Sequence, residues 1–339
     1  MKEELFKIIN KYFPNNDQDK NNWNYIINNS SSAPSILYLQ SMVEYYVAYY
    51  TSNQSINLSF VFYDDRNPVG IMPLMIHKKS DHKWLISCNG AEIIEPIFIK
   101  LLAPKLKKKL ENNLKDLIID IAKHLNIHQF DFVNMNVFEL SDWYLMWAGI
   151  ADEVFSTHHK FVDLSLSLQE IYSGFRKSFR PLVNKGRREF NIQAYEKISD
   201  ELFDSFKLLH EKAAGKITRP NESWNIQKSQ IHKGEAFLIT VGLKGGHMTG
   251  GGLFHYTNDL GFYSVGAYDR EFSDEPLGHA VQMKAIEIFK KINVKLYEIG
   301  RKFLKIKKKK PTGKELNISH FTDGFATQFM ARQHLIVNF

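Results

Sequence analysis

The 339 residues of this chain exceed one small domain and suit two domains of ordinary size. Hydrophobic residues make up 44% and charged residues 24%, which excludes disordered and collagen-like classes. The single cysteine, Cys88, excludes an intrachain disulfide and a zinc site built from cysteines. The acidic N-terminus does not resemble a signal peptide, and no stretch approaches the roughly 20 apolar residues of a membrane span. We therefore expect a cytoplasmic protein without a membrane span.

The formal net charge is +7, from 44 basic and 37 acidic residues. Basic residues concentrate in three segments, 105–109, 176–188 and 301–310. An excess of positive charge favours anionic partners such as nucleotide phosphates, RNA or acidic sugars. Each segment is equally compatible with an ordinary solvated face, so charge alone does not identify the partner.

In the first half of the chain, residues 57–63 and 69–76 are rich in strand-forming side chains and flank a turn-forming cluster at 64–68. Residues 84–88 are predicted as a third strand. Leucines and isoleucines at three- and four-residue spacing predict a helix over 106–125. A further strand is predicted over 130–137.

The second half repeats this order. Residues 236–243 and 248–256 are predicted strands joined by a glycine-rich hairpin turn at 244–247. A third strand is predicted over 260–268, a helix from about Gly278 and a last strand over 294–299. Three antiparallel strands, a helix and a returning strand resemble the core of an acyl-CoA N-acyltransferase (GNAT) domain. We therefore predict an α/β (α+β) chain of two GNAT-like domains, 1–160 and 161–339, with mixed, mostly antiparallel sheets flanked by helices.

The second half also resembles the FemAB-like transferases, which use two GNAT-type domains. The stretches that carry the resemblance are Phe175-Arg176-Lys177-Ser178-Phe179-Arg180, the strand pair 250–256 and 260–268, Pro276-Leu277-Gly278-His279, and the tail that begins with Pro311-Thr312-Gly313-Lys314. The resemblance implies transfer of an acyl or aminoacyl group to an amine. The donor would be an acyl-CoA or an aminoacyl-tRNA. The acceptor would be a small amine or a nucleotide sugar, as in surface-polysaccharide or nonulosonic-acid biosynthesis, with tRNA but not DNA as a further partner.

The predicted helix start at Gly278, His279 and Ala280 is the candidate donor-binding site. A helix N-terminus stabilises a phosphate through its backbone N–H groups and its dipole. The chain has Glu275 where GNAT loops usually carry Gln or Arg, and an acid near a pyrophosphate is unfavourable. This difference favours an aminoacyl-tRNA donor, which does not need the coenzyme A pocket.

The candidate catalytic residues are Tyr268, Asp269 and Glu298, at the ends of the two strands that a GNAT domain splays apart. Amide formation needs a neutral amine and a group that accepts its proton, which a carboxylate can do. It needs no nucleophilic side chain, and Cys88 has no activating partner nearby in the sequence. The histidines at 77, 82, 158 and 159 lack the spacing of metal ligands, so we expect no metal.

Arg176, Arg180, Lys185 and Arg301 are the candidate substrate-binding residues, which would hold an anionic part of donor or acceptor. Aromatic residues at four-residue spacing predict a helix with a basic face over 176–188, broken or bent at Pro181. Three functions stay open: an N-acyltransferase acting on an amino sugar or glycan precursor, an aminoacyl-tRNA-dependent transferase, and a non-catalytic module that binds anionic glycan or RNA.

Overall fold

A computed structural model of the chain describes residues 1–30, 34–79, 81–303 and 311–338. The chain forms two compact units, Met1–Ser156 together with Arg332–Phe339, and Thr157–Ala331. The first unit thus includes C-terminal residues that the division into 1–160 and 161–339 assigns to the second domain. That division stays a prediction. No helix among the described residues is long and apolar enough to cross a membrane.

The first unit has five α-helices and eight complete strands among its described residues. The helices are α1 (Lys2–Tyr12), α2 (Lys20–Asn29), α3 (Gln40–Tyr49), α4 (Pro104–Leu125) and α5 (Asp142–Ala148). The strands are β1 (Ile56–Asn57), β2 (Phe60–Asp64), β3 (Asn67–Met72), β4 (Met75–Lys78), β5 (Trp84–Ser87), β6 (Ile93–Ile94), β7 (Ile97–Phe98) and β8 (Gln129–Val133).

The three-stranded meander predicted for the first half is wrong in its pairing. Each of the first two predicted strands is divided in two, and the four pieces enter separate sheets, β1–β4–β5 and β2–β3–β7. Pro73 lies between β3 and β4 and has no N–H to continue a ladder, which accounts for the second division. The buried face of α4 covers the core of this unit with Leu110, Leu114 and Leu117, as its spacing predicts.

The second unit holds the remaining elements, with β9 (Glu153–Asp163) entering it at Thr157 and β15 (Gln328–Asn338) leaving it after Ala331. Its helices are α6 (Leu168–Gly174), α7 (Phe179–Glu189), α8 (Asp200–Ala214), α9 (Asn221–His232), α10 (Leu277–Lys291) and α11 (Gly313–Asp323). Its other strands are β10 (Phe190–Tyr195), β11 (Ala236–Leu243), β12 (Met248–Tyr256), β13 (Leu260–Tyr268) and β14 (Leu296–Lys302).

The sheet of the second unit follows the order β10–β11–β12–β13–β14–β9. Consecutive strands β10 to β13 pair antiparallel, β13 and β14 pair parallel, and β9 runs antiparallel to β14. A parallel pair needs a crossover connection, and α10 supplies it. One face of the sheet packs on α7 and α10 around Phe254 and Phe289, and the other packs on α8 and α9 around Phe206 and Trp224. The predicted mixed α/β class with mostly antiparallel sheets flanked by helices is confirmed.

The helix predicted over 176–188 begins later than expected, because α7 starts at Phe179. Pro181 lies in its first turn, where backbone N–H groups have no intrahelical partner, so it does not break the helix. The prediction of a break at Pro181 is therefore wrong.

The glycine run 250–252 on β12 makes room for aromatic rings. A Cβ atom on Gly250 would approach the Tyr268 ring to 2.5 Å, and one on Gly251 would approach the Ile239 carbonyl oxygen to 2.7 Å. Both glycines are buried, so their lack of side chains serves packing.

Candidate active site

The parallel strands β13 and β14 separate part-way along their length. Their pairing runs from Leu260–Leu296 to Phe262–Glu298, while β13 continues to Tyr268. We call the opening between the two strands the fork, the Phe262–Glu298 pair its closed end, and the C-terminal end of β13 its open end. Beyond the closed end, the backbone groups of β13 that face the fork are not paired with β14, as expected for a strand pair that accepts an extended ligand.

Glu298 lies at the closed end of the fork and is 2% exposed. Its Oε1 atom is 2.7 Å from Nδ1 of His159 on β9. The other ring nitrogen of His159, Nε2, is 2.9 Å from Oγ1 of Thr157, two residues earlier on the same strand. All three side chains are buried. A carboxylate, an imidazole and a hydroxyl thus form one continuous hydrogen-bonded chain.

The strand registers show which other residues share the face of Glu298. Phe262 lies directly opposite both Glu298 and His255, so these three side chains share one face of the sheet. His255 is fully buried, with Nδ1 2.7 Å from Ser264 Oγ and Nε2 2.7 Å from Gln230 Oε1 on α9. Burial lowers the pKa of His255 to about 3, so this imidazole is neutral at physiological pH.

Arg219, in the loop before α9, adds a positive charge near this face. Its guanidinium lies over the Trp224 ring at 4.4 Å from the centroid and donates to Gln227 Oε1 at 3.3 Å. Burial is the largest cause of the lowered pKa values of His255, about 3, and His210, about 4, and the positive charge of Arg219 lowers both further. The sequence pattern assigns no role to His255 or Arg219, and His159 entered only as a rejected metal ligand, because Glu298 and Gln230, the partners of the two histidines, lie far away in the chain.

Tyr268 and Asp269 lie at the open end of the fork. With a rise of about 3.3 Å per residue, Tyr268 is roughly 20 Å along β13 from Phe262. The structure therefore does not bring Tyr268 and Asp269 together with Glu298 at one point.

Asp269 accepts a hydrogen bond from Lys212 Nζ at 2.7 Å and caps the short 3₁₀ helix Arg270–Phe272 through the backbone N–H of Glu271. The hydrogen bond from Lys212 is the largest cause of a lowered Asp269 pKa. A carboxylate with a lowered pKa is a weaker base, so the ion pair with Lys212 argues against Asp269 as the base.

The phenol of Tyr268 belongs to a buried network below the fork. Its hydroxyl is 3.5 Å from that of Tyr263, while the Tyr297 hydroxyl donates to Gln282 Oε1 on α10 at 2.6 Å. Burial is the largest cause of the raised pKa values of Tyr263, Tyr268 and Tyr297. These phenols are therefore protonated at neutral pH.

Aromatic rings pack against the N-terminus of α10, where Gly278 and His279 are half-buried. A Cβ atom on Gly278 would approach the Phe321 ring to 3.0 Å, and Ala280 is fully buried beneath Gly186 of α7. The ring of His279 packs against Phe179 at a centroid distance of 4.5 Å and against Phe321 at 5.1 Å. Burial, with the charge of Arg176, lowers the pKa of His279 to about 4. A neutral imidazole among aromatic rings does not supply a charge for a pyrophosphate.

The predicted substrate-binding residues of α7 and the loop before it already have partners. Arg176 bonds to the ring and the carbonyl oxygen of His320, and Arg180 donates to the carbonyl oxygens of Ser173 and Phe175. Lys185 pairs with Glu275 at 2.8 Å. This ion pair neutralises the acidic residue that stands where GNAT loops usually carry Gln or Arg. These contacts give the residues local structural roles, and their part in ligand binding stays a prediction.

Arg301 on β14 is exposed, with its guanidinium 5.8 Å from the Phe303 ring centroid. The rest of the basic segment 301–310, from residue 304 onward, lies outside the described residues. Arg301 and Lys302 are thus the basic residues of that segment that the structure describes, and Lys302 pairs with Asp323.

The structure bears on two groups set aside on sequence grounds, the Cys88 thiol and a metal site. Cys88 is buried, and burial raises the pKa of its thiol well above the ordinary value, so it is a poor nucleophile. Across the described ranges, no group of three His, Cys, Asp or Glu side chains has the geometry of a metal site.

The geometry of the second unit defines a GNAT-type acyltransferase fold, and comparison with solved structures extends the likeness to the whole chain. FemX matches with a TM-score of 0.68 and 13% identity, over 94% of this chain and 96% of that one. L-PGS from Bacillus licheniformis matches with a TM-score of 0.61 and 10% identity, over 94% and 92%. A tandem GNAT protein from the clavulanic acid biosynthesis pathway matches with a TM-score of 0.50 and 12% identity, over 96% of each chain.

No protein-family model matches the sequence, and no curated protein matches it significantly. At these low identities the structural likeness establishes the fold. The predicted resemblance to FemAB-like and tandem GNAT proteins is confirmed at that level.

Proposed function

We propose that this protein is an acyltransferase that joins an acyl or aminoacyl group, carried on an activated donor, to an amine. The observation that carries the proposal is the fork itself, with a buried carboxylate, Glu298, at its closed end. The unpaired backbone of β13 would hold the extended donor arm, and its acyl carbon would lie close to Glu298. The FemX-like and tandem GNAT-like fold supports this reading.

The reaction proceeds by direct attack of the amine on the acyl carbon, with no covalent enzyme intermediate. Glu298 accepts the proton that the amine loses as the new C–N bond forms. Cys88 is buried with a raised pKa, which removes it as a nucleophile. Tyr268 and Asp269, at the open end, would contact the donor away from the reacting atoms.

The donor is an aminoacyl-tRNA or an acyl-CoA, and one observation favours the tRNA. A coenzyme A pyrophosphate binds best where backbone N–H groups of a helix N-terminus are open to it. Here Phe179 and Phe321 pack around Gly278 and His279, and Ala280 is covered. A tRNA donor would need only its terminal ester to enter the fork, with Arg301 contacting phosphate.

The acceptor is a small amine of the amino-sugar or nucleotide-sugar class, as the FemAB resemblance implies. Arg219 lies near the face that carries Glu298 and would bind the negatively charged part of such an acceptor. Arg176, Arg180 and Lys185 remain proposed contributors to ligand binding. We place the reaction in the cytoplasm, where nucleotide sugars and charged tRNA are available.

A thermal-shift screen tests the donor assignment. Acetyl-CoA, a mixture of aminoacyl-tRNAs and a set of nucleotide sugars are each added to the full chain, and a ligand that binds the folded state raises the melting temperature. We expect aminoacyl-tRNA to raise it in a salt-sensitive manner and acetyl-CoA to have no effect. If acetyl-CoA raises the melting temperature and aminoacyl-tRNA does not, the donor is an acyl-CoA.

Product formation separates an enzyme from a binding module. With the donor and an amino-sugar nucleotide present, we expect a new amide, detected by mass spectrometry. Binding without any amide, across all donor and acceptor pairs, would support the non-catalytic reading.

A further inference from the structure

The residues around Glu298 form an arrangement that the proposed reaction does not by itself require. Thr157, His159 and Glu298 are linked by contacts of 2.9 Å and 2.7 Å through the two nitrogens of one imidazole. A carboxylate that contacts the amine substrate can accept its proton without help from a second side chain. The structure instead places an imidazole between the carboxylate and a hydroxyl, all buried.

The order hydroxyl, imidazole, carboxylate is also that of a nucleophilic triad. Two different roles are therefore open to Thr157: it could attack the donor itself, or it could fix the imidazole that orients Glu298. A nucleophile needs access to the acyl carbon and donors for the oxyanion. Thr157 is only 7% exposed. It lies on β9, and β14 separates β9 from β13 in the sheet, so Thr157 is not next to the unpaired backbone of β13.

We propose that Thr157 and His159 are positioning residues that hold Glu298 as the base, an inference that rests on the proposed function. The Thr157 hydroxyl donates to His159 Nε2, and His159 Nδ1–H donates to Glu298 Oε1. This tautomer keeps the carboxylate ionised and fixed in orientation, and its other oxygen, Oε2, receives the proton of the amine.

The step balances without any further reactant. The amine nitrogen bonds to the acyl carbon, and the bond from that carbon to the leaving oxygen or sulfur of the donor breaks. Glu298 takes one proton from the nitrogen, and this proton is passed to the leaving atom. His159 and Thr157 keep their protons throughout, so the enzyme returns to its starting state after each turnover.

Proton NMR of protein labelled with ¹⁵N-histidine tests the arrangement without substrate. An Nδ1–H bonded to a buried carboxylate gives a slowly exchanging signal downfield of the amide region. We expect such a signal from His159, shifted upfield in Glu298→Gln, where a neutral amide oxygen replaces the carboxylate, lost in His159→Asn and retained in the control His158→Asn. His334, whose Nδ1 lies 2.7 Å from Glu92 Oε1, gives a second signal that all three variants keep. A His159 signal unchanged in Glu298→Gln, or no signal assigned to His159 in wild type, would overturn the tautomer and with it the proposal.

Turnover of a second variant set tests the positioning role. Thr157→Val removes the hydroxyl at constant shape, and Thr157→Ser keeps it. A hydrogen bond of this kind changes a rate by about three- to tenfold, and one to a charged group by about ten- to 100-fold. We expect Thr157→Val to lower kcat by about three- to tenfold with KM unchanged, Thr157→Ser to restore it, and His159→Phe to lower kcat by about ten- to 100-fold.

His159→Asn retains an amide donor near the position of Nδ1, so its kcat should exceed that of His159→Phe. Equal losses in the two variants, or a rise in KM without a loss in kcat, would contradict a positioning role. The assay uses acetyl-CoA or mixed aminoacyl-tRNA as donor, whichever supports product formation.

Treatment with p-nitrophenyl acetate decides between the two roles of Thr157. The positioning role predicts no burst of p-nitrophenol that depends on Thr157 and no acetylated Thr157 by mass spectrometry. A stoichiometric burst with acetyl on Thr157 would make it a nucleophile and overturn the proposal. Failure of the proposed function and failure of this inference give different results. If the NMR signal of His159 is present but Glu298→Gln leaves turnover unchanged, the proposed function is wrong. If Glu298→Gln abolishes turnover but wild type lacks the His159 signal, only this inference is wrong.

Discussion

The two ends of the fork are built from different kinds of contact. At the closed end, Glu298 is buried and bonds to an imidazole from a neighbouring strand of the same sheet. At the open end, the Asp269 side chain is 9% exposed but pairs with Lys212, whose side chain is 59% exposed, and aromatic rings pack against the start of α10. A buried polar group is costly unless its partners are in place, whereas an ion pair with a solvent-exposed partner contributes less.

This difference indicates where chemistry and where binding take place. The rigid closed end can hold a base in one orientation, which proton transfer requires. The open end can adapt to a large donor at small energetic cost. Substitutions at each end, and at a residue that supports it, test this division.

Loss of the carboxylate at the closed end should have the largest effect. Glu298→Gln removes the base, and loss of one general base typically lowers a rate by about 100- to 10,000-fold. Cys88→Ala is the control, since the thiol is buried in the first unit and the fork belongs to the second. Steady-state kinetics of both variants at equal melting temperature provide the comparison. An activity loss in Cys88→Ala as large as that in Glu298→Gln would contradict direct attack.

Lys160, the neighbour of His159 on the opposite face of β9, should have a large effect on stability. Its ammonium is fully buried and contacts Ser319, Thr322 and Asp323 of α11. Lys160→Met leaves Ser319 and Thr322 without this donor and Asp323 with Lys302 as its cation, and we expect the free energy of unfolding to fall by about 3 kcal/mol.

Urea unfolding measures this loss, with Lys295→Met as the matched control. Lys295 pairs with Asp259 but has a 77% exposed side chain, so its replacement should cost under about 1 kcal/mol. Equal losses in the two variants would show that Lys160 does not anchor α11.

His279 at the open end should make stability depend on pH. Its pKa is lowered from 6.5 to about 4, so the unfolded state binds more protons between these values. The contribution of His279 to the free energy of unfolding is therefore complete above about pH 6.5 and is lost as the pH falls toward 4. At pH 5 the loss from this group is about 2 kcal/mol.

Urea unfolding at pH 7 and pH 5 tests this with His279→Phe, in which the difference between the two pH values should shrink by about 2 kcal/mol. His232→Phe is the control, because His232 is exposed. An unchanged difference in His279→Phe would mean that the ring is not enclosed as described.

Arg180 should have the smallest effect. It donates to two backbone carbonyl groups next to α6, so Arg180→Ala should lower the free energy of unfolding by about 1 kcal/mol. Lys177→Ala, at an exposed neighbouring position, should be nearly neutral. If Arg180→Ala weakens donor binding while stability stays unchanged, the ligand-binding role predicted from the sequence is the correct one.

The core of the second unit, β11 to β14 with α10, was predictable from its sequence because each signal is local. Alternating strand residues, a glycine-rich turn at 244–247 and the helical spacing after Gly278 each specify one element, and the elements follow one another in the sheet. The first unit was less predictable, because the division of its strands among several sheets depends on pairings between distant segments. No local pattern contains that information.

The candidate site shows the same limit. Glu298 was found because a GNAT-like order places it at a strand opening. His159 was noticed only as a histidine unsuited to metal binding, since its contact with Glu298 joins residues 139 positions apart. The expected cluster of Tyr268, Asp269 and Glu298 fails for a related reason: sequence order placed all three near the opening, but the length of β13 separates them.

Single-turnover kinetics on Glu298→Gln and Asp269→Asn test the division between the two ends most directly. Each variant is mixed with saturating donor and amine, and the rate of amide formation and the donor affinity are measured together. Our account predicts that Glu298→Gln forms amide about 100-fold or more slowly with unchanged donor affinity, and that Asp269→Asn keeps most of the rate. A slow step in Asp269→Asn with a normal rate in Glu298→Gln would place the base at the open end and contradict the account.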